Sequence, residues 1–133
     1  MIKYLLDTNI CAFYFRNKYG ISDKLAMIGL SKCAISEITL AELKFGIELS
    51  NYKEENTEKL SAFTEYVSVI PIRNSISLYA KEKARLKLIN KTIDDFDMLI
   101  GTTAVANNLI MATDNVKHLS RIENIKIENW TER

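Results

Sequence analysis

Two hydrophobic rhythms run along the chain. Short apolar runs recur at "IKYLL" (2–6), "KCAIS" (32–36), "VSVIPI" (67–72), "LIMAT" (109–113) and "IKIEN" (125–129). Each is five or six residues long and bounded by polar or turn-forming residues, as expected of strands covered on both faces. Between them lie longer stretches of helical character: "NICAFYFRN" (9–17), "SDKLAMIGL" (22–30), "TLAELKFGIELS" (39–50), "KEENTEKLSAFTEY" (53–66), "SISLYAKEKARLKLI" (75–89) and "DMLIGTTAVANN" (97–108). In the third, Leu40, Leu43 and Ile47 fall on one stripe. Ser22 is placed to cap the second helix. The fourth is acidic and amphipathic, and the fifth is basic. Strands separated by helices predict an α/β fold built of parallel βα units.

In open parallel sheets, ligands bind beyond the carboxyl ends of the strands. "YLLDTNI" (4–10) therefore raises a question, because its apolar run stops on Asp7. Asp7 suits two roles, a helix N-cap after strand one or a ligand at the strand end. Thr8 would cap in its place in the second case. The other acids have to decide.

Composition narrows the classes. The 133 residues predict one domain (1–133), and 47% hydrophobic with 26% charged residues is ordinary for a globular chain. No apolar run is long enough to cross a bilayer. "MIKYLL" lacks the apolar core and cleavage site of a signal peptide. Cys11 and Cys33 have no motif spacing and read as reduced packing thiols, which places the protein in the cytoplasm. With one proline and four glycines there is no flexible linker, and a net charge of +1 neither requires nor excludes a nucleic-acid partner.

Three more acidic positions join Asp7. Glu42 sits in a helix, four residues before Gly46 on the same face; that glycine leaves room beside the carboxylate. Asp97 opens the "DMLIGTTA" helix after "IDDF"; Asp94, Asp95 and Asp97 are more acids than capping needs. Asp114 and Asn115 follow the strand "LIMAT". Each has a plain structural role as well, in a solvated helix face, a first turn or a cap. Together they put oxygen ligands at two strand ends and on two helices. Like charges gathered at one rim are costly without a counterion. An all-oxygen set suits Mg²⁺ or Mn²⁺ rather than zinc. His118 is the only histidine, so a Ser-His-Asp triad has little material, and the nucleotide-loop and zincin motifs are absent.

"LLDTNI", "ISEITLAELKFGIELS", "DDFDMLIGTTAVANNLIMATDN" and the closing "IKIENW" resemble a PIN-domain ribonuclease, and within that class a VapC-type toxin of a type II toxin–antitoxin system. The resemblance spans Met1 to Trp130. It implies a PIN-like three-layer α/β/α fold with a central parallel sheet of about five strands. Matched position by position, it puts the catalytic and metal-binding acids on Asp7, Glu42 and Asp97. The fourth polar position falls on Asp114 or Asn115, and supporting polar roles fall on Thr8, Asn9 and Thr113. Gly101 stands where alanine is more usual. The resemblance further implies a homodimer, Mg²⁺- or Mn²⁺-dependent cleavage of RNA (tRNA or rRNA) that inhibits translation and growth, and a VapB-like antitoxin that alone contacts operator DNA.

RNA approaching an acidic hole needs flanking cations. The basic helix and the turn after it carry Lys81, Lys83, Arg85, Lys87 and Lys91; Lys83, Arg85, Lys87 and Lys91 are RNA-binding candidates, against the plainer reading of a solvated face. Arg16 and Lys18 are further candidates. "FYF" (13–15) suits base stacking or core and dimer packing. The first helices, with "CAFYF" and "LAMIGL", carry more apolar surface than a short chain readily buries, which also predicts a homodimer. Two rival functions stand beside the nuclease: a non-catalytic PIN-fold interaction module, and a phosphoaspartyl receiver-like domain. The receiver expects paired acids just after strand one, whereas here the second acid is distant and helical.

Overall fold

The computed structural model describes residues 1–131. Five strands form one parallel sheet: β1 (Tyr4–Leu6), β2 (Cys33–Ser36), β3 (Ser68–Ile70), β4 (Ile110–Ala112) and β5 (Lys126–Glu128), in the order β3-β2-β1-β4-β5. Among the described residues seven α-helices connect them: α1 (Thr8–Phe15), α2 (Ile21–Ile28), α3 (Glu37–Leu49), α4 (Lys53–Tyr66), α5 (Ile76–Leu88), α6 (Asp95–Ala106) and α7 (Val116–Leu119). Every expected strand is present, shortened where the ladder ends.

Alternation along the strands divides the core in two. Tyr4, Leu6, Cys33, Ile35 and Ala112 face one cluster, closed by residues of α1 to α4. Leu5, Ala34 and Met111 face the other, closed by α5, α6 and α7. The register agrees, with Leu5 opposite both Ala34 and Met111. Parallel crossovers are right-handed, so reversing the direction of travel across the sheet moves the helices to the opposite face. The chain runs β1-β2-β3 one way and returns through β4 and β5 on the other side of β1. The result is an α/β/α sandwich whose direction reverses between β1 and β4. That crevice is where a doubly wound sheet binds its ligand. A receiver has the order 2-1-3-4-5, and the order seen here removes that alternative.

Local details depart from the sequence expectation at several points. Ser22 does not cap α2: Gly20 takes that position with φ +66°, and the Ser22 hydroxyl donates to Asn17 Oδ1 at 3.1 Å. Helix α3 begins two residues earlier than the pattern suggests, because the Ser36 hydroxyl accepts from Ile38 N. Helix α6 starts at Asp95, and α7 is a short helix in a stretch to which the sequence pattern assigns no element. The "FYF" rings belong to the core: Phe13 packs edge-on against Tyr19, and both Tyr14 and Phe15 pack on Phe63. Leu40, Leu43 and Ile47 pack together on that same core. Trp130 is buried edge-on against Tyr4, and both cysteines are buried free thiols. Gly101 has a steric reason: a Cβ there would run into Ile122 and crowd Leu119. Gly46 has none within the chain, since a Cβ there would meet open space. Among the described residues no helix is long and apolar enough to cross a membrane.

Candidate active site

Asp7 lies one residue beyond β1, only 4% exposed. Of the two roles its position suggested, the structure displays the cap, with Asp7 rather than Thr8 as the capping residue. Its Oδ1 accepts from Thr8 N at 2.8 Å, capping α1. Its Oδ2 accepts from the buried Thr113 hydroxyl at 2.6 Å. Thr113 follows β4, so this bond ties the two strand ends across the crevice. The Thr113 oxygen in turn accepts from Asn115 N at 2.9 Å.

The neighbouring helices bring the remaining acids to this rim. Glu42 on α3 accepts from the Thr8 hydroxyl at 2.7 Å, and Thr39 stands 3.0 Å from that same hydroxyl. Asp114 accepts from Asn9 Nδ2 and Asp97 from Asn115 Nδ2, each at 3.3 Å. Asp97 occupies the first turn of α6, where capping is performed by Asp94, whose Oδ2 accepts from Phe96 N and Asp97 N. Asp7, Glu42, Asp97, Asp114, Asn115, Thr8, Asn9 and Thr113 thus gather at one place.

The electrostatics mark the place as short of positive charge. Burial pushes the Asp7 carboxyl above its ordinary range, and the Asp114 and Glu42 carboxylates add to that. Asp97 is pushed up to about 6, first by burial, then by Asp7, Asp94 and Glu42. Each acid accepts a hydrogen bond from a polar neighbour, and among the described residues no three His, Cys, Asp or Glu side chains stand as a ready-made metal cage. An ion bound through one or two carboxylates and several waters, the habit of Mg²⁺, fits such a donor set.

The cationic candidates divide. Lys83 Nζ lies 2.8 Å from Asp95 Oδ1, and Tyr79 also donates to that oxygen. Arg85 donates to the buried Glu82, pairs with Glu123 and donates to the Arg121 carbonyl, stapling α5 to the loop before β5. Lys87 and Lys91 are exposed, as are Arg16 and Lys18. Two members of the site escaped the sequence reading. Thr39 precedes Glu42 by three residues, a helical spacing that signals a shared face. His118, whose Nδ1 lies 2.9 Å from Asn115 Oδ1, carried no signal of a place at the site.

The PIN domain pattern matches residues 4–124. The chain belongs to the PIN-domain family. Within this family it is similar to ribonuclease VapC2 of Rickettsia felis, at 37% identity over 131 residues, covering 96% of this chain and 97% of that protein. The tRNA(fMet)-specific endonuclease VapC of Shigella flexneri is 29% identical over 132 residues, covering 98% of this chain and all of its own. The solved VapBC2 complex of Rickettsia felis, bound to a DNA fragment from its promoter, superposes with a TM-score of 0.86 at 34% identity, covering 98% and 99% of the two chains. The PIN domain here is accordingly of the VapC type.

Proposed function

We propose that this PIN domain, a single unit over residues 1–133, is the toxin of a toxin–antitoxin pair and cleaves phosphodiester bonds in RNA with the aid of Mg²⁺ or Mn²⁺. The observation that carries the reading is the convergence of Asp7, Glu42, Asp97 and Asp114, held by Thr8, Asn9, Thr113 and Asn115, at the rim beyond β1 and β4. Burying like charges together is unfavourable unless a cation joins them. A non-catalytic module has no use for that arrangement.

Each residue has a distinct task in this reading. Asp7 is the rigid primary ligand, its two oxygens oriented by Thr8 N and the Thr113 hydroxyl. Asp97 is the second ligand, and Asn115 orients it. Glu42, held by Thr8, positions a water or a second ion. Of the two candidates for the fourth position, Asp114 supplies the oxygen, because its charge acts on Asp7 while the Asn115 amide turns its nitrogen toward Asp97. A bound divalent ion supplies polarisation of the phosphodiester and a lowered pKa for the attacking water. Lys87 and Lys91 are favoured for phosphate contact, since Lys83 and Arg85 are already neutralised by acids of the chain.

Two relatives named for tRNA(fMet) favour tRNA as the substrate, with rRNA the alternative. A VapB-like antitoxin is the partner, and operator DNA is reached through it; solved relatives are such complexes. Grooves on both flanks of α4, of about 700 and 440 Å³, offer room for an antitoxin segment. A homodimer fits better through α3 than through the first helix, whose rings are partly buried against the core: Phe45 and Leu49 are 65% and 72% exposed, four residues apart, with Gly46 beside them.

The test is cleavage of a tRNA by purified protein. Activity with Mg²⁺ or Mn²⁺ is expected to vanish in EDTA and return with excess metal. Full cleavage in EDTA would overturn the reading.

A further inference from the structure

His118 lies outside the acidic set, yet it is joined to that set by a chain of directed hydrogen bonds. Its Nδ1 is 2.9 Å from Asn115 Oδ1, and Asn115 Nδ2 is 3.3 Å from Asp97 Oδ2. The direction of each bond is forced. An ionised carboxylate only accepts, so the Asn115 amide must present its nitrogen to Asp97. Its oxygen then faces His118, so Nδ1 must carry a proton. Neutral Nδ1–H imidazole and imidazolium both meet that requirement, which makes the bond independent of the charge on His118. Asn115 also reaches Asp7, because its backbone N–H is accepted by the Thr113 hydroxyl that donates to Asp7. One residue thereby orients acids on both sides of the crevice, and His118 holds its side chain.

We infer that His118 is a positioning residue for the metal-binding acids, its Nδ1–H fixing the Asn115 amide in the orientation that ties down Asp97. This rests on the metal-dependent ribonuclease reading above. His118 touches neither substrate nor metal in this role; it acts through Asn115. Outer partners that orient ligating side chains are typically worth 10- to 100-fold in metal affinity or activity. A link through an intervening amide belongs at the lower end of that range.

The test measures Mn²⁺ affinity by electron paramagnetic resonance titration, with tRNA cleavage and thermal melting alongside. His118→Ala is expected to weaken Mn²⁺ binding about tenfold and to lower cleavage in step at sub-saturating Mn²⁺. Its melting temperature should stay put, because His118 is exposed. His118→Asn places an amide N–H close to where Nδ1 stood and should restore most of the affinity. Asn115→Ala should weaken Mn²⁺ binding at least as much as His118→Ala, and adding His118→Ala to it should change nothing further, the signature of residues acting in series. Unchanged Mn²⁺ affinity in His118→Ala, or losses that simply add in the double variant, would overturn the inference while leaving the nuclease reading intact. A parent protein that binds no Mn²⁺ would overturn both.

Discussion

Helices α1 and α6 both begin beneath the crevice and both are capped by an aspartate, but they divide the work differently. In α1 the capping residue is Asp7 itself, so one carboxylate serves helix and site. In α6 Asp94 caps, Asp95 pairs with Lys83, and Asp97 is left for the site. Three acids within four residues thus meet three environments. Lys83 and Tyr79 hold the Asp95 carboxyl below its usual range, while burial and its neighbours push Asp97 up to about 6. Sequence proximity says little about electrostatic environment. The side chains packed around each carboxylate decide it.

The comparison is broken most forcefully at Asp7. Asp7→Asn keeps an oxygen for the cap and removes the ligand charge, so RNA cleavage and growth toxicity should fall by orders of magnitude. Two smaller effects oppose each other in the fold. A buried charge disappears, and the hydrogen bond from Thr113, worth about 1 kcal/mol, is disturbed. Melting at or above the parent temperature, measured beside cleavage of tRNA, is the expected result. A variant that melts far lower yet cuts at the parent rate would make Asp7 structural only.

Asp97→Asn should abolish cleavage similarly, but with a clearer gain in stability, because Asp97 has no cap to maintain. The sign follows from linkage. A carboxyl raised from 3.8 to about 6 by folding binds its proton more tightly in the folded state. Its contribution is therefore present at low pH and is lost as pH rises from about 4 through 6. Allowing for solvent screening of a partly exposed group, the loss is on the order of 1–2 kcal/mol. In metal-free buffer the parent should lose melting temperature across that window relative to Asp97→Asn, and Mg²⁺ should restore it to the parent alone. Parallel pH profiles for the two proteins would contradict the assignment.

At Asp94 the effect shifts from chemistry to the cap. Asp94→Ala should cost about 1 kcal/mol of stability, visible in urea unfolding. Asp94→Asn should cost almost nothing, and both variants should still cleave RNA. Smallest of all is the Asp95 pair with Lys83. Both side chains are about half exposed, so Asp95→Asn should leave melting and cleavage indistinguishable from the parent. A cleavage defect there would show that Asp95, rather than Asp97, serves the site.

Much of this was legible in the linear pattern. Strands of period two and helices of period 3.6 follow from backbone geometry, and the five strands appear in their expected places with ends trimmed by the ladder. The placement of Asp7 and Asp114 just beyond strands, and of Glu42 and Asp97 on helices, was equally visible. Capping was less so. Ser22 is a good capping residue, but Gly20 reaches the left-handed conformation that closes the α1–α2 turn, and a side chain cannot override the path of its backbone. The basic character of α5 was plain, and Glu82 stands one helical turn from Arg85, whereas the pairs of Lys83 with Asp95 and of Arg85 with Glu123 were hidden, because those acids approach from elsewhere in the chain.

By itself the sequence determined the α/β class, the order of the elements and which acidic side chains stand just beyond strands or on helices, since these depend on local periodicity and side-chain chemistry. Only the tertiary structure decided that β4 lies beside β1. That adjacency brings Thr113 onto Asp7, Asp114 onto Asn9 and Asn115 onto Asp97. It depends on right-handed crossovers and on which faces bury one another, and these are properties of the whole packed sheet rather than of any one stretch of chain.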